Sequence, residues 1–152
     1  MSVGGYALEK RYSHADYASW DDNTRWELLD GIPYAMSAPS SAHQEISVGL
    51  TRLLANYLAG KPCKVYHSPY DVRLNYDSGD DTVVQPDLAI VCDPSKRDAI
   101  GCLGAPDLID EILSSSTARM DRVLKHNKYY EVRGSRILGC RPGYSDSISI
   151  LA

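Results

Sequence analysis

No phenylalanine occurs in these 152 residues, and no cysteine has a second cysteine three places away. The second absence removes the CxxC pairs from which structural zinc sites and redox dithiols are built. Cys63, Cys92, Cys102 and Cys140 therefore read as scattered, reduced thiols. No apolar run approaches the length of about 18 residues that a membrane-spanning helix needs. The first residues lack a basic-then-apolar leader pattern, so a cytoplasmic location is expected. There is no glycine-rich phosphate loop, no GxSxG elbow and no HExxH pair, which sets aside nucleotide-loop, serine-hydrolase and zincin chemistry. Positive charge is scarce. Sixteen Lys and Arg against 20 Asp and Glu leave a net charge of −4. That argues against a protein that coats nucleic acid through a basic face, although a bound metal and a local basic patch can still attract a phosphate.

What is present centres on two apolar runs, each carrying acids. One is Thr82-Val83-Val84-Gln85-Pro86-Asp87-Leu88-Ala89-Ile90-Val91, and the other is Ala105-Pro106-Asp107-Leu108-Ile109-Asp110-Glu111-Ile112-Leu113. Aliphatic and β-branched residues bounded by Gly, Pro, Asp and Ser read as buried strands. A carboxylate in such a run is costly to bury unless it is paired or holds a cation. Asp87 and Glu111 occupy such places, and one divalent ion held between neighbouring strands would satisfy both. By spacing alone, a solvated or salt-bridged place at a strand end is the commoner case for each.

The remainder supplies a frame for these strands. Residues 1–10 show no period. Ser13 can cap a short helix that runs to about Trp20. Arg25 to Met36 reads as a hairpin turning at Asp30-Gly31, with Pro33 marking an edge strand. Ser40 to Ala59 is the clearest helix, with Ile46, Leu50, Leu53, Leu54, Tyr57 and Leu58 as its apolar stripe and Gly60 as its stop. Cys63 to Tyr76 reads as a strand bent at Ser68-Pro69, and Asp93 to Gly104 as a loop. A second helix is expected from about Ala118 to Arg133, stopped by Gly134. Ile137-Leu138 and 147–151 read as two final strands. This is one α/β domain over 1–152, a mixed central β-sheet flanked by helices with an N-terminal β-hairpin. By period, Glu27 falls on the hairpin face opposite Trp26 and Leu28, normally the solvent face. Lys125 reads as a solvated helix lysine, His43 as a residue of a helix start, and Tyr129 and Tyr130 as core and surface positions.

Several segments together carry a resemblance: Arg25-Trp26-Glu27-Leu28-Leu29-Asp30-Gly31, Pro39 to His43, Val84-Gln85-Pro86-Asp87-Leu88, and Pro106 to Thr117. In this order they resemble the Uma-type family of restriction-endonuclease-like proteins within the PD-(D/E)XK nuclease superfamily. The likeness runs from about Tyr12 to Arg133. It implies a restriction-endonuclease-like core and Mg²⁺- or Mn²⁺-dependent hydrolysis of DNA phosphodiesters. It also implies metal ligation by Asp87, Glu111 and the carbonyl of Ile112, and a homodimer as the natural form for cutting two strands. The superfamily lysine two places beyond the acid is here Leu113, so the resemblance transfers that role to Lys125 on the following helix. Glu27 then matches an accessory acid and His43 a substrate or water contact. Ser115 stands where proline is usual, and Asp110 where an apolar residue is usual. A different class of function, a catalytically silent nuclease fold acting in binding or assembly, is the alternative. The acidic charge, the lysine placement and the altered tail speak for it, and it gains if Lys125 points to bulk solvent rather than to the cleft of Asp87 and Glu111.

The tail departs furthest. After Gly134 the family tends to read Val-Arg-Glu-Tyr-Trp, two apolar residues and Asp-Pro, whereas this chain reads Ser135-Arg136-Ile137-Leu138-Gly139-Cys140-Arg141-Pro142-Gly143. In one possible back-translation, the codons CGA ATA CTG GGT TGT CGA CCC GGG encode Arg136 to Gly143. Read one base later, they encode Glu-Tyr-Trp-Val-Val-Asp-Pro. A locally shifted reading frame is therefore expected in this gene. Sequencing it tests the expectation, and codons that cannot yield the family pattern in another frame would dismiss it.

Overall fold

The computed structural model describes residues 10–112, 125, 127–129 and 131, and the backbone of 136–140 and 149–151. Expectations for Leu113, for the Ser114-Ser115-Ser116-Thr117 run, for Tyr130 and for most of the 118–133 helix lie outside these residues. Lys125, 127–129 and Glu131 are helical.

The chain begins with a five-residue helix, α1 (His14–Ala18). Its start is fixed by a reciprocal capping box. The Ser13 hydroxyl accepts the Asp16 N–H, and the Asp16 carboxylate accepts the Ser13 N–H at 2.8 Å. Strands β1 (Trp26–Leu29) and β2 (Ile32–Ala35) form the expected hairpin. Asp30 and Gly31 both have positive φ, 50° and 77°, the geometry that matches a tight turn to strand twist. β2 lies at a sheet edge, where the missing N–H of Pro33 is tolerated. Helix α2 (Ser41–Leu58) is capped by Ser40, whose hydroxyl accepts the His43 N–H at 3.2 Å, and Gly60 follows it at φ 75°.

Strand boundaries are where the expectations change. The run Thr82–Val91 is two strands, β5 (Val83–Val84) and β6 (Leu88–Val91), broken at Gln85-Pro86-Asp87. Proline offers no ladder donor there, and the two halves join different sheets. Cys63–Tyr76 likewise divides into β3 (Lys64–His67) and β4 (Asp71–Arg73) around a cis Ser68–Pro69 bond. The supposed loop Asp93–Gly104 contains a 3-10 turn, Pro94–Lys96, and a strand, β7 (Gly101–Leu103). Gly101 is obligatory. A Cβ there would lie 2.1 Å from the carbonyl oxygen of Asp71, its partner in the parallel β4–β7 pair. β8 (Leu108–Ile112), β9 (Arg136–Cys140) and β10 (Ser149–Leu151) follow.

These strands form two five-stranded sheets, ordered β2-β1-β5-β4-β7 and β10-β9-β8-β6-β3. Both are mixed, since β4–β7 and β8–β9 are parallel and the other pairs antiparallel. The mixed α/β architecture with its N-terminal hairpin is thus as expected. The chain crosses between sheets through α2 and again at 68–70, 85–87, 92–100 and 104–107. One core serves both sheets, with Leu29, Val72, Leu74 and Val84 packed with Val91, Ile109 and Tyr129.

Two further expectations are corrected. Cys63 and Cys92 form a disulfide, because the β3–β6 register that pairs Lys64 with Val91 brings the flanking residues opposite each other. Linear spacing carries no trace of that pairing. Cys102 is free and buried. The α2 stripe is only partly covered: Leu58 is buried, but Leu53 and Tyr57 are exposed. Among the described residues, no helix is long and apolar enough to cross a membrane.

Asp110 is the uncomfortable residue its position implied. It is 1% exposed, and among the described residues its Oδ1 has no hydrogen-bond partner. Burial, reinforced by the charge of Asp87, pushes its carboxyl up to about 7. A folded-state value above the unfolded one means that the folded protein holds the proton more tightly. Stability from this group is then gained as pH falls from about 7 towards 4, and a penalty persists above 7. Without divalent cations, Asp110→Val is expected to raise unfolding free energy at pH 8 by about 2–4 kcal/mol. The gain should shrink by pH 5. Denaturant melts at the two pH values check this, and a pH-independent difference would refute the assignment.

Candidate active site

The acids of the two runs meet through strand register. β6 and β8 are antiparallel with Leu88 opposite Asp110, so the next step of the ladder sets Asp87 opposite Glu111. Asp87 sits just before β6, at the crossing between sheets, where its side chain is free of the strand pleat. Its Oδ2 accepts the Ile112 N–H at 2.7 Å. His43 Nε2 lies 3.0 Å from its Oδ1. A carboxylate can only accept, so the shared proton belongs to His43 Nε2. The Ser40 cap starts α2 one turn before His43 and so aims the ring at Asp87. The Asp87 carbonyl accepts the Ser68 N–H at 3.0 Å, tying the second crossing to the same point.

Glu27 approaches from the other sheet. It is 3% exposed, against the expectation of a solvent-facing position. The hairpin face that looked outward in the sequence is covered by the helical segment bearing Lys125. Glu27 Oε1 accepts the Gln85 N–H at 2.7 Å, and Lys125 Nζ is 2.8 Å from its Oε2. Lys125, 6% exposed, is no solvated lysine. It also reaches Glu111 Oε1 at 3.7 Å, so Glu27 is the nearer partner. Lys128, one turn on, is 2.7 Å from Asp30 Oδ2 and holds the helix to the hairpin turn. The spacing matches on both elements: Glu27 and Asp30 face Lys125 and Lys128.

The expected residues fall into two adjoining sets, Asp87 with His43 and the Ile112 N–H, and Glu111 with Lys125 and Glu27, and the charge of Asp87 acts on Glu111. Two residues escaped the sequence reading. Tyr129, 2% exposed, donates its hydroxyl to Glu111 Oε1 at 2.8 Å. Gln85 joins several groups at the crossing. Its Oε1 accepts from Arg25 Nε and a terminal guanidinium nitrogen at 3.2 and 2.9 Å, and its Nε2 donates to Asp71 Oδ1 at 2.8 Å. A glutamine inside an apolar run was the available signal, since a buried amide demands partners.

Electrostatics mark Glu111. Burial drives its carboxyl well above the ordinary range, and Asp87 and Glu27 add to the shift while Lys125 and Tyr129 oppose it. The cluster carries more negative than positive charge in a dehydrated place, and a hard cation would offset it. Among the described residues, no three His, Cys, Asp or Glu side chains form a complete metal cage. Paired carboxylates supplemented by a carbonyl and waters nevertheless fit Mg²⁺, which keeps several waters.

The model of the Uma2 family, described as "Putative restriction endonuclease", matches residues 14–136. An uncharacterised protein of Synechocystis sp. is 33% identical over 125 residues, covering 78% of this chain and 62% of that protein. The chain thus spans less than two thirds of the length of this curated relative. Among solved structures, a protein described as a putative nuclease belonging to DUF820 from Anabaena variabilis aligns with a TM-score of 0.71. The alignment has 12% identity and covers 92% of this chain and 84% of that one, a likeness of fold.

Removing the buried ammonium leaves Glu27 and Glu111 facing each other uncompensated. Lys125→Met is expected to cost about 3–5 kcal/mol of unfolding free energy. Adding Glu27→Gln should restore part of that loss. Urea unfolding of the single and double variants measures the coupling, and additive effects would contradict the ion pair.

Proposed function

Because the chain belongs to the Uma2 family of putative restriction endonucleases, we propose that it is a metal-dependent endonuclease hydrolysing DNA phosphodiester bonds. The observation that carries this reading is the opposition of Asp87 and Glu111 across β6 and β8, with Lys125 beside them. Asp87 and Glu111 would hold Mg²⁺ or Mn²⁺, with the Ile112 carbonyl as a third ligand. When bound, the ion neutralises phosphoryl charge and lowers the pKa of a coordinated water.

The chain's own residues do the rest. Glu27, fixed by the Gln85 N–H, holds the Lys125 ammonium beside Glu111. From there Lys125 orients the attacking water or steadies charge gathering on the phosphoryl oxygens. His43 and the Ile112 N–H fix the rotamer of Asp87 and restrain the ligand before any substrate arrives. A homodimer would supply one such site to each strand of a duplex.

The rival reading, a silent nuclease-fold module, would gain from a Lys125 pointing to solvent. Its burial against Glu27 and Glu111 supports the catalytic reading instead. The test is calorimetry with Mg²⁺ and Mn²⁺ on wild type and Asp87→Ala, paired with plasmid cleavage. Saturable binding lost in the variant, with metal-dependent nicking by wild type alone, is expected. Absence of binding by the wild type would reject the metal site. Binding without any cleavage would favour the silent module.

A further inference from the structure

The acids of this cluster differ in how their oxygens are used. Asp87 engages both, Oδ1 with His43 and Oδ2 with the Ile112 N–H. Glu27 also engages both, Oε1 with the Gln85 N–H and Oε2 with Lys125. Glu111 does not. Tyr129 at 2.8 Å and Lys125 at 3.7 Å both address its Oε1. Among the described residues, its Oε2 is the one carboxylate oxygen of the three acids with no partner.

Helical geometry explains the convergence. Lys125 and Tyr129 are four residues apart, so they lie on one face of the helical segment and reach the same point. Both are almost completely buried, whereas the Glu111 side chain keeps one fifth of its surface exposed. Both donors reach the carboxylate at Oε1. The chemistry of the two donors is also complementary. A second ammonium on Oε1 would compensate Glu111 fully and repel an incoming cation. A phenol fixes the carboxylate as firmly but carries no charge, so the negative charge remains available.

We propose that Tyr129 is a positioning residue that clamps Glu111 through Oε1 and thereby reserves Oε2 for a divalent cation. The proposal rests on the metal reading above and assigns a task to a residue that sequence alone shows only as core. Hydrogen bonds to metal ligands usually set metal affinity by about 10–100-fold. The ring packs in the core, so the informative change is Tyr129→Phe, which keeps the ring and removes the hydroxyl.

The experiment is calorimetric titration of the full chain with Mn²⁺, for wild type, Asp87→Ala, Tyr129→Phe, Glu111→Gln and the double variant Glu111→Gln with Tyr129→Phe. Thermal melts of the metal-free proteins run alongside. Tyr129→Phe is expected to weaken Mn²⁺ binding about 10–100-fold while metal-free melting stays close to wild type. In the Glu111→Gln background, the same change should have no further effect on Mn²⁺ affinity, because its only route is through Glu111. A Tyr129→Phe affinity equal to wild type, with binding still lost in Asp87→Ala, would overturn the role of Tyr129 and leave the metal site standing. So would an equal loss in both backgrounds, the mark of a general structural effect. No binding by wild type would overturn both readings together.

Discussion

Burying several carboxylates in one place is the constraint on which this structure turns. Glu27, Asp87 and Glu111 lie where two sheets meet, Asp110 is buried on the opposite face of β8 from Glu111, and water cannot solvate them fully. Each ionised group so placed would cost several kcal/mol if left alone. The fold answers with directed donors: the Ile112 and Gln85 N–H groups, His43, Tyr129 and the Lys125 ammonium. Asp110 receives the least help, with one oxygen lacking a hydrogen-bond partner among the described residues. Such an unbalanced set is poor design for stability alone, and groups of this kind concentrate where chemistry requires them.

The break in the strand at Gln85-Pro86-Asp87 makes the arrangement possible. A continuous strand through Thr82–Val91 would commit Asp87 to one face of one sheet. By passing from one sheet to the other, the chain frees Asp87 from the pleat, sets it beside His43 of α2, and still places it across from Glu111. The amide of Gln85 stitches the same crossing to Arg25 and Asp71, and its backbone N–H holds Glu27. The hairpin, the crossing and the helical segment bearing Lys125 are thus mechanically one unit. A shift of any of them moves the charge balance at Glu111.

Much of the outline is legible in the linear chain. The α1 cap, the Asp30-Gly31 turn, the edge position marked by Pro33 and the limits of α2 all depend on neighbours within a few residues. The strand of Glu111 and the two final strands are legible for the same reason. The divided strands and β7 are less so, because Pro86 and Pro69 show where pairing stops but not that the chain then changes sheet. Gly101 looks like a loop glycine until the carbonyl of Asp71 stands over it.

For the site, the sequence by itself determined which acids stand inside apolar runs and, through likeness to a family, which lysine, glutamate and histidine belong with them. It also determined that Asp110 would be ill at ease, since one strand position away from Glu111 means the opposite face. Only the tertiary structure decided that Glu27 is buried, that Lys125 is nearer to Glu27 than to Glu111, that Cys63 joins Cys92, and that Tyr129 holds Glu111. Those facts relate residues that lie on different elements of the fold. The period of a strand or helix fixes which side chains share a face, but the identity of what covers that face comes from register and packing between elements, which local sequence does not encode.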